Sequence, residues 1–270
     1  MSISLVIPCY SAGPNIERTI KSCEDVCDDV VMISTAPYAE DVEALKELGT
    51  VVELPFNFTF IHGFGSMMNQ GTTSTKNDWI LLFGVAETLA QEIKPLRETL
   101  DKCSHLDSMF RVSHEGDINV WKRIWNRKSG SHWSGLIHEE IVGGTEREVL
   151  IRMQDTEKVP VDDPLKQEVF RYIKTLSYNA MYHRLIHHPE QLGGTDAGWI
   201  KFVNGARESI EAFCDEHKDM LNACLEGDFD ELQRLVEKRM NAGKIADGVK
   251  FEPVGEKATG FETIESEALA

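Results

Sequence analysis

Ile3-Ser-Leu-Val-Ile-Pro8 is the stretch of sequence that decides the fold. It is an apolar run of the kind found in a strand that is buried on both faces. Ile16, Ile20 and Cys23 follow at helical spacing, and Pro14 stands where the first turn of a helix accepts proline. The opening of the chain therefore predicts a strand followed by a helix.

The same alternation continues to about residue 100. Further buried strands are predicted at 30–33, 51–52 and 79–83, and further helices at 42–48, 67–74 and 93–100. Strands that alternate with helices in this order form a mainly parallel sheet with helices on both faces. We therefore predict an α/β domain that is related to the Rossmann fold.

The pattern changes after about residue 109. Short strand-like runs at 109–112, 118–125 and 136–142 predict an antiparallel extension of the sheet. From Pro164 onward the spacing becomes helical, with further helices predicted at 196–217 and 228–241. We divide the chain into a sheet domain at 1–150, a helical extension at 151–242 and a loosely ordered acidic tail at 243–270.

The overall charge argues against several kinds of partner. The 270 residues include 45 acidic and 28 basic side chains, which gives a net charge of −17. Broad contact with nucleic acid or anionic lipid relies on Lys and Arg and is therefore disfavoured. The one basic, aromatic-rich cluster lies at 121–128. No apolar stretch is long enough to span a membrane, and no leader precedes Ile3, so we expect a cytoplasmic protein.

Ligands of open α/β sheets bind beyond the carboxyl ends of the strands. In this chain those ends lead into residues 8–13, 34–41, 57–65, 84–87 and 137–141. Helices that begin at this edge present free backbone N–H groups and the positive end of the helix dipole, and both suit a pyrophosphate. We therefore expect the chemistry-bearing residues in these segments.

Three blocks in these segments carry a resemblance to a known family. The first is Ser4-Leu-Val-Ile-Pro-Cys-Tyr10 with Asn15-Ile-Glu-Arg-Thr-Ile20, and the second is Met68-Asn69-Gln-Gly71 with Asp78-Trp79-Ile-Leu-Leu82. The third is Trp125-Asn126-Arg127 with Trp133-Ser-Gly-Leu-Ile-His138-Glu139. In this order and spacing they resemble the family 2 glycosyltransferases. The third block is similar to a bacterial branch with an Ile-His-Glu motif, whose members glucosylate lipopolysaccharide cores or peptides.

The resemblance implies a GT-A-like fold and an inverting transfer of a sugar, of the hexosyltransferase type, from a nucleoside-diphosphate donor to a hydroxyl. The acceptor it implies is an unknown saccharide, a protein or a modified nucleotide. The donor would contact five positions that match the family motifs: Pro8, Tyr10, Ser34, Asn69 and Glu87.

The chain departs from the family at two positions of chemical importance. Ser34 stands where the family has an aspartate that binds the nucleotide base. The family's Asp-x-Asp motif, which holds a divalent cation, is degenerate, because Gly84 and Ala86 replace both aspartates and Glu87 alone remains. Three alternatives follow. Glu87 and His138 hold Mn²⁺ or Mg²⁺ with the substrate, or N–H groups and Arg or Lys replace the metal, or catalysis is lost.

An inverting transfer also needs a base that removes the proton of the acceptor hydroxyl. Glu139 and Glu140 follow His138 and are the candidate catalytic residues. On a strand, Glu139 would face away from His138 and Glu140, so one set alone could point into a cleft. A function of a different class stays open: a non-catalytic protein that binds a sugar nucleotide or a partner.

Overall fold

The computed structural model of the chain describes residues 2–89, 97–98, 100, 108–114, 120–136, 140–143, 145–155, 159–192, 201 and 203–244. For 108–114, 120–122, 140, 145–155 and 192 it describes the backbone. Most of the helix predicted at 93–100, and the predicted tail from residue 245, lie outside these residues.

The first half of the chain alternates between strands and helices, as predicted. Strands β1 to β4 lie side by side in the order β3-β2-β1-β4, and every pair among them is parallel. The elements are β1 Ile3–Cys9, α1 Pro14–Ser22, β2 Asp29–Ser34, α2 Ala39–Lys46, β3 Thr50–Glu53, α3 Phe58–Thr73 and β4 Trp79–Leu82.

The predicted antiparallel extension continues the same sheet. After β4 the order is β7-β6-β10-β5. Strand β7 is antiparallel to both of its neighbours, but β6 and β10 are parallel, so the extension is not wholly antiparallel as predicted. A separate hairpin pairs β8 with β9. The bounds are β5 Glu87–Leu89, β6 Ser108–His114, β7 Val120–Asn126, β8 His132–Ser134, β9 Glu140–Val142 and β10 Thr145–Asp155.

Two details of the predicted strands are corrected. Of the strand predicted at 136–142, residues Glu140–Val142 form β9, Leu136 lies in a bend, and 137–139 lie outside the described residues. The strand β8 was not predicted and ends at Ser134, where Gly135 follows with a φ of 108°. That left-handed conformation favours glycine and ends the strand. The sequence pattern also did not predict β10, which takes the sheet to Asp155. The predicted division into domains stays a prediction.

Helices cover both faces of the sheet, so the predicted α/β architecture is confirmed. Ile16 of α1 and Leu45 of α2 pack on one face together with Leu5 and Leu81. Met67 of α3 packs on the other face in a cluster that also holds Val6, Ile80, Trp125, Trp133 and Ile141. Alternate side chains of each strand thus enter two different apolar layers, which is why β1 reads as an apolar run.

The C-terminal helical appendage is also confirmed. It consists of α4 Pro164–His187, α5 Arg207–Glu216, α6 Lys218–Glu226 and α7 Phe229–Asn241. Asp163 caps α4 by accepting hydrogen bonds from the backbone N–H groups of Leu165 and Lys166. Tyr172 of α4 and Leu232 of α7 share a buried cluster with Phe60 of α3, which joins the appendage to the sheet domain. No helix in the described parts of the chain combines the length and apolar character needed to cross a membrane.

A buried carboxylate fastens the amino ends of three parallel strands. Asp29 accepts hydrogen bonds from the hydroxyl of Ser4 at 2.9 Å and from the backbone N–H of Lys76 at 3.0 Å. Burial raises the pKa of Asp29, but the hydrogen bonds from Lys76 and Ser4 outweigh it and leave that pKa below its ordinary value.

We expect Asp29→Asn to change how stability depends on pH. A lowered pKa in the folded state stabilises the protein above the unfolded pKa of about 3.9, and this contribution is lost as the pH falls through the folded value. Urea denaturation at pH 6 should find the variant less stable than the wild type, and the difference should shrink below about pH 4. A difference that stays constant from pH 6 to pH 3 would contradict this account of Asp29.

Gly71 gives a test of the packing between α3 and the sheet. A Cβ at Gly71 would lie 2.3 Å from Cδ1 of Ile33, whose side chain is fully buried. We expect Gly71→Ala to lower the free energy of unfolding by about 1–2 kcal/mol, because overpacking outweighs the gain in helix propensity. Gly205→Ala is the control, since a Cβ there meets nothing within 4 Å. Equal or greater stability of Gly71→Ala would refute the contact.

Candidate active site

The carboxyl ends of β1 to β4 meet at one edge of the sheet. Cys9 at the end of β1 is in register with Ser34 at the end of β2, and Ser34 is in register with Glu53 at the end of β3. The chain leaves β4 beside them, where the N–H of Phe83 donates to the carbonyl of Val6 at 3.1 Å. Residues from four separate segments are therefore brought together here, as the parallel order predicted.

Tyr10 and Ser34 lie at this edge, but their polar groups bond within the protein. Pro8 lies on β1, two residues before Tyr10, and is in register with Ile33 of β2. The hydroxyl of Ser34, which is 1% exposed, accepts a hydrogen bond from the backbone N–H of Ala36 at 3.1 Å. Burial raises the pKa of Tyr10 to about 12, although a hydrogen bond with Thr35 opposes the shift. Ser34 is thus buried, whereas Tyr10 is partly buried.

An aromatic cap from the appendage covers the ends of β1 to β3. It consists of Phe170 of α4 and Phe229 of α7, packed on Tyr10, Tyr38 and Phe56. The Phe170 ring centroid lies 6.2 Å from that of Tyr10, and the Phe229 centroid lies 5.2 Å from that of Tyr38. These separations are those of favourable aromatic pairs. The appendage thus closes the part of the edge where Ser34 and Tyr10 lie.

Polar contacts hold the appendage in that position. The ammonium of Lys166 on α4 lies 2.6 Å from the carboxylate of Asp41 and 4.8 Å from the ring centre of Tyr38. Burial raises the pKa of Asp41, and the hydrogen bond from Lys166 opposes that shift. The amide of Asn15 at the start of α1 exchanges two hydrogen bonds with the backbone of Val159, at 2.9 and 3.0 Å.

Asn69 lies away from the strand ends. Its Nδ2 donates to the carbonyl of Trp133 at 2.8 Å, and its Oδ1 accepts from the N–H of Trp133 at 2.9 Å. The side chain thereby fastens the β8–β9 hairpin to α3. The structure does not bring Asn69 together with Tyr10 and Ser34.

The β8–β9 hairpin carries the predicted catalytic motif. His138 and Glu139 lie outside the described residues, and of Glu140 the backbone alone is described, opposite Ser134. The chain before the motif is held close to α3, where the N–H of Phe64 donates to the carbonyl of Leu136 at 3.2 Å. Gly63 permits this approach, because it has a φ of 79° and a Cβ there would lie 2.5 Å from the same carbonyl oxygen.

A tight turn follows β4 at residues 83–87, in place of the Asp-x-Asp motif. The N–H of Glu87 donates to the carbonyl of Gly84 at 3.2 Å, and the N–H of Gly84 donates to the carboxylate of Glu87. Ala86 is buried in a left-handed conformation with a φ of 73°. A Cβ at Gly84 would lie 3.2 Å from the Glu87 carboxyl carbon, so this carboxylate occupies the space beside the position of the family's first aspartate.

Arg123 completes this turn and was not predicted as a functional residue. On β7, Ile124 pairs with Phe110 and Lys122 pairs with Arg111, so Arg123 is the extra residue of a β-bulge. Its Nη2 lies 2.8 Å from Oε1 of Glu87, and the two side chains are 16% and 8% exposed. The sequence marked Arg123 as part of a basic cluster, but a bulge depends on the register with β6 and leaves no local pattern.

These residues do not fit a divalent cation. Mg²⁺ and Mn²⁺ prefer several oxygen ligands, whereas positions 84 and 86 offer no side-chain oxygen. The remaining carboxylate, that of Glu87, is bound to Arg123 and to the N–H of Gly84. Within the described side chains, no group of three or more His, Cys, Asp or Glu residues could hold a metal ion.

A cavity of about 570 Å³ opens at the opposite edge of the sheet, beside the amino ends of β2 and β3. Asp29, Lys46 and Lys76 are among the residues that line it. Because ligands of such sheets bind at the carboxyl ends of the strands, we do not include this cavity in the candidate site.

Comparisons with known proteins give distant structural likenesses alone. No family model matches the chain, and no curated protein matches it. The chain is similar to a crystal structure of S. aureus TarS 1-349, at 12% identity over 90% of this chain and 92% of that chain, with a TM-score of 0.41. It is also similar to glucosyl-3-phosphoglycerate synthase from Mycobacterium tuberculosis with Mn²⁺, UDP and phosphoglyceric acid, at 11% identity over 73% and 80%, with a TM-score of 0.44. Likenesses at this level carry no argument about activity.

We expect the Glu87–Arg123 ion pair to be important for stability. Glu87→Ala leaves the largely buried guanidinium without its carboxylate and should lower the free energy of unfolding by about 3 kcal/mol. Asp78→Ala is the matched control, because Asp78 pairs with Arg127 and Lys128 at the protein surface and should cost less than about 1 kcal/mol. Guanidinium denaturation measures both. Equal losses in the two variants would show that the buried pair contributes no more to the free energy of unfolding than the exposed one.

Proposed function

We propose that the chain is an inverting glycosyltransferase that moves a hexose from a nucleoside-diphosphate sugar to a hydroxyl acceptor. The observation that carries the proposal is the turn at 83–87. In the family that the sequence resembles, the diphosphate of the donor is held just after the strand that corresponds to β4, and the turn lies at this place. The turn also joins Glu87 to Arg123 at the carboxyl edge of the sheet. The motifs around Tyr10, Asp78 and His138 support the same assignment through their order along the chain.

The reaction needs two kinds of group. The acceptor oxygen forms a bond to the anomeric carbon while the bond from that carbon to the diphosphate oxygen breaks, and the acceptor's proton passes to a base. Negative charge develops on the departing diphosphate and must be stabilised. The base must lie within hydrogen-bond reach of the acceptor hydroxyl.

Glu139 and Glu140 are our candidates for the base. The hairpin that carries them is fixed to α3 at Asn69 and at Gly63, on the face of the sheet that also holds Trp125 and Trp133. Efficient proton transfer needs a carboxylate that is held in position. The acceptor that we propose is a saccharide, a protein or a modified nucleotide.

One observation favours a second candidate function. The aromatic cap encloses Tyr10 and Ser34, and these are two of the positions at which a family member would contact the donor. A protein that kept the fold but lost catalysis would not need an open donor site, so it could carry the aromatic cap. It could also carry Gly84 and Ala86 in place of the two aspartates. The alternative is therefore a non-catalytic protein that binds a sugar nucleotide or a partner.

We expect turnover to separate the two functions. The assay incubates the protein with UDP-, GDP- and dTDP-sugars and measures release of the nucleoside diphosphate, while thermal-shift titration measures donor binding. Either Glu139→Gln or Glu140→Gln should lower the rate by about 10²–10⁴-fold and leave donor binding unchanged, because a general base acts on the chemical step.

Glu226→Gln on the exposed end of α6 is the control and should match the wild type. Donor binding without any release would favour the non-catalytic alternative. The absence of donor binding would count against the transferase and against a non-catalytic protein that binds a sugar nucleotide.

A further inference from the structure

We propose that Arg123 is the cation that neutralises the diphosphate of the donor, so that donor binding does not require a divalent metal. This inference rests on the proposed function and assigns the charge at its site to a residue of the chain itself. Glu87 is then a positioning residue that orients the guanidinium.

The β-bulge gives Arg123 its position. Without the extra residue, β7 would continue its alternation past Ile124, and the side chain at 123 would belong to the regular ladder with β6. A bulge redirects a side chain, and bulges are frequent beside active sites for this reason. Here the redirected guanidinium reaches the turn that follows β4, 2.8 Å from the carboxylate of Glu87.

Glu87 holds the guanidinium in one orientation. Its carboxylate accepts from Arg123 and from the N–H of Gly84, and its own N–H closes the turn on the carbonyl of Gly84. Two hydrogen bonds between Gly84 and Glu87 therefore hold Glu87 in place: one is accepted by its carboxylate, and the other is donated by its backbone N–H. A guanidinium held in this way loses little conformational entropy when it binds an anion.

The chemistry of arginine suits a diphosphate. The guanidinium stays charged at all ordinary pH values and has five N–H donors in a planar fork that matches phosphate oxygens. The Arg123 side chain is 16% exposed, so its charge is screened less than that of a surface residue. Lys166, which also lies near this edge, is bound to Asp41 and packs on the ring of Tyr38.

The same geometry argues against a metal at this turn. A cation there would have to detach the Glu87 carboxylate from Arg123, and it would gain no side-chain oxygen from positions 84 and 86. The absence of both aspartates is thus consistent with a largely buried arginine beside the remaining acid.

The test measures the affinity for UDP, GDP and dTDP by isothermal titration calorimetry, once in EDTA and once in Mn²⁺. The wild type should bind one of these nucleotides in EDTA with an affinity within about threefold of that in Mn²⁺. The double variant Glu87→Gln/Arg123→Gln replaces the ion pair by two neutral amides and should lose at least about tenfold in affinity under both conditions.

Two further variants keep the result interpretable. Asp78→Asn/Arg127→Gln removes a more exposed ion pair at the other end of β4 and should bind the nucleotide as the wild type does. Arg123→Lys keeps the charge opposite Glu87, and so the fold, but loses the fork. It should weaken binding in EDTA by about three- to tenfold. Thermal melting without nucleotide confirms that each variant is folded.

The outcomes separate the two proposals. If the wild type binds none of the nucleotides in either condition, the proposed function fails and this inference fails with it. If the wild type binds a nucleotide in Mn²⁺ alone, or if Arg123→Lys and the double variant bind as tightly as the wild type, Arg123 is not the neutralising cation. The proposed function would survive that second result.

Discussion

The ion pair between Arg123 and Glu87 joins β7 to the turn that follows β4, at the place where the chemistry is expected. Arg123 lies on β7, and Glu87 ends this turn as the first residue of β5. A pair that is mostly out of water requires both partners, because removal of one leaves an uncompensated charge. The pair connects the turn at 83–87 with the bulge in β7, beside positions 84 and 86, which lack side-chain oxygens.

The helical appendage sets the second constraint. By placing Phe170 and Phe229 against Tyr10, Tyr38 and Phe56, it closes the carboxyl ends of β1 to β3. Contacts at Asn15 and Lys166 fix its first turn to the sheet domain. The end of β4 and the adjoining turn are thus the part of this edge at which the proposed chemistry would take place.

The fold was accessible from the sequence where periodicity is local. The apolar run at 3–8, the helix from Pro14 and the strand at Trp79 could be predicted because each pattern is complete within a few residues. The sequence predicted a helix at 67–74 and not the first half of α3. Gly63 has a non-helical backbone conformation there and interrupts the helical pattern. The site was less accessible. The bulge at Arg123, the hydrogen bonds of Asn69 to Trp133 and the aromatic cap all join residues that are distant in the chain.

The most direct test of the role assigned to this ion pair is a crystal structure of the protein with bound UDP, or whichever nucleoside diphosphate binds, grown in the presence of EDTA. We expect the β-phosphate beside the turn at 83–87, with its oxygens within hydrogen-bond distance of the Arg123 guanidinium and with Glu87 still in contact with that guanidinium. A nucleotide bound in the cavity at the amino edge, or a diphosphate that leaves Arg123 untouched, would contradict the account.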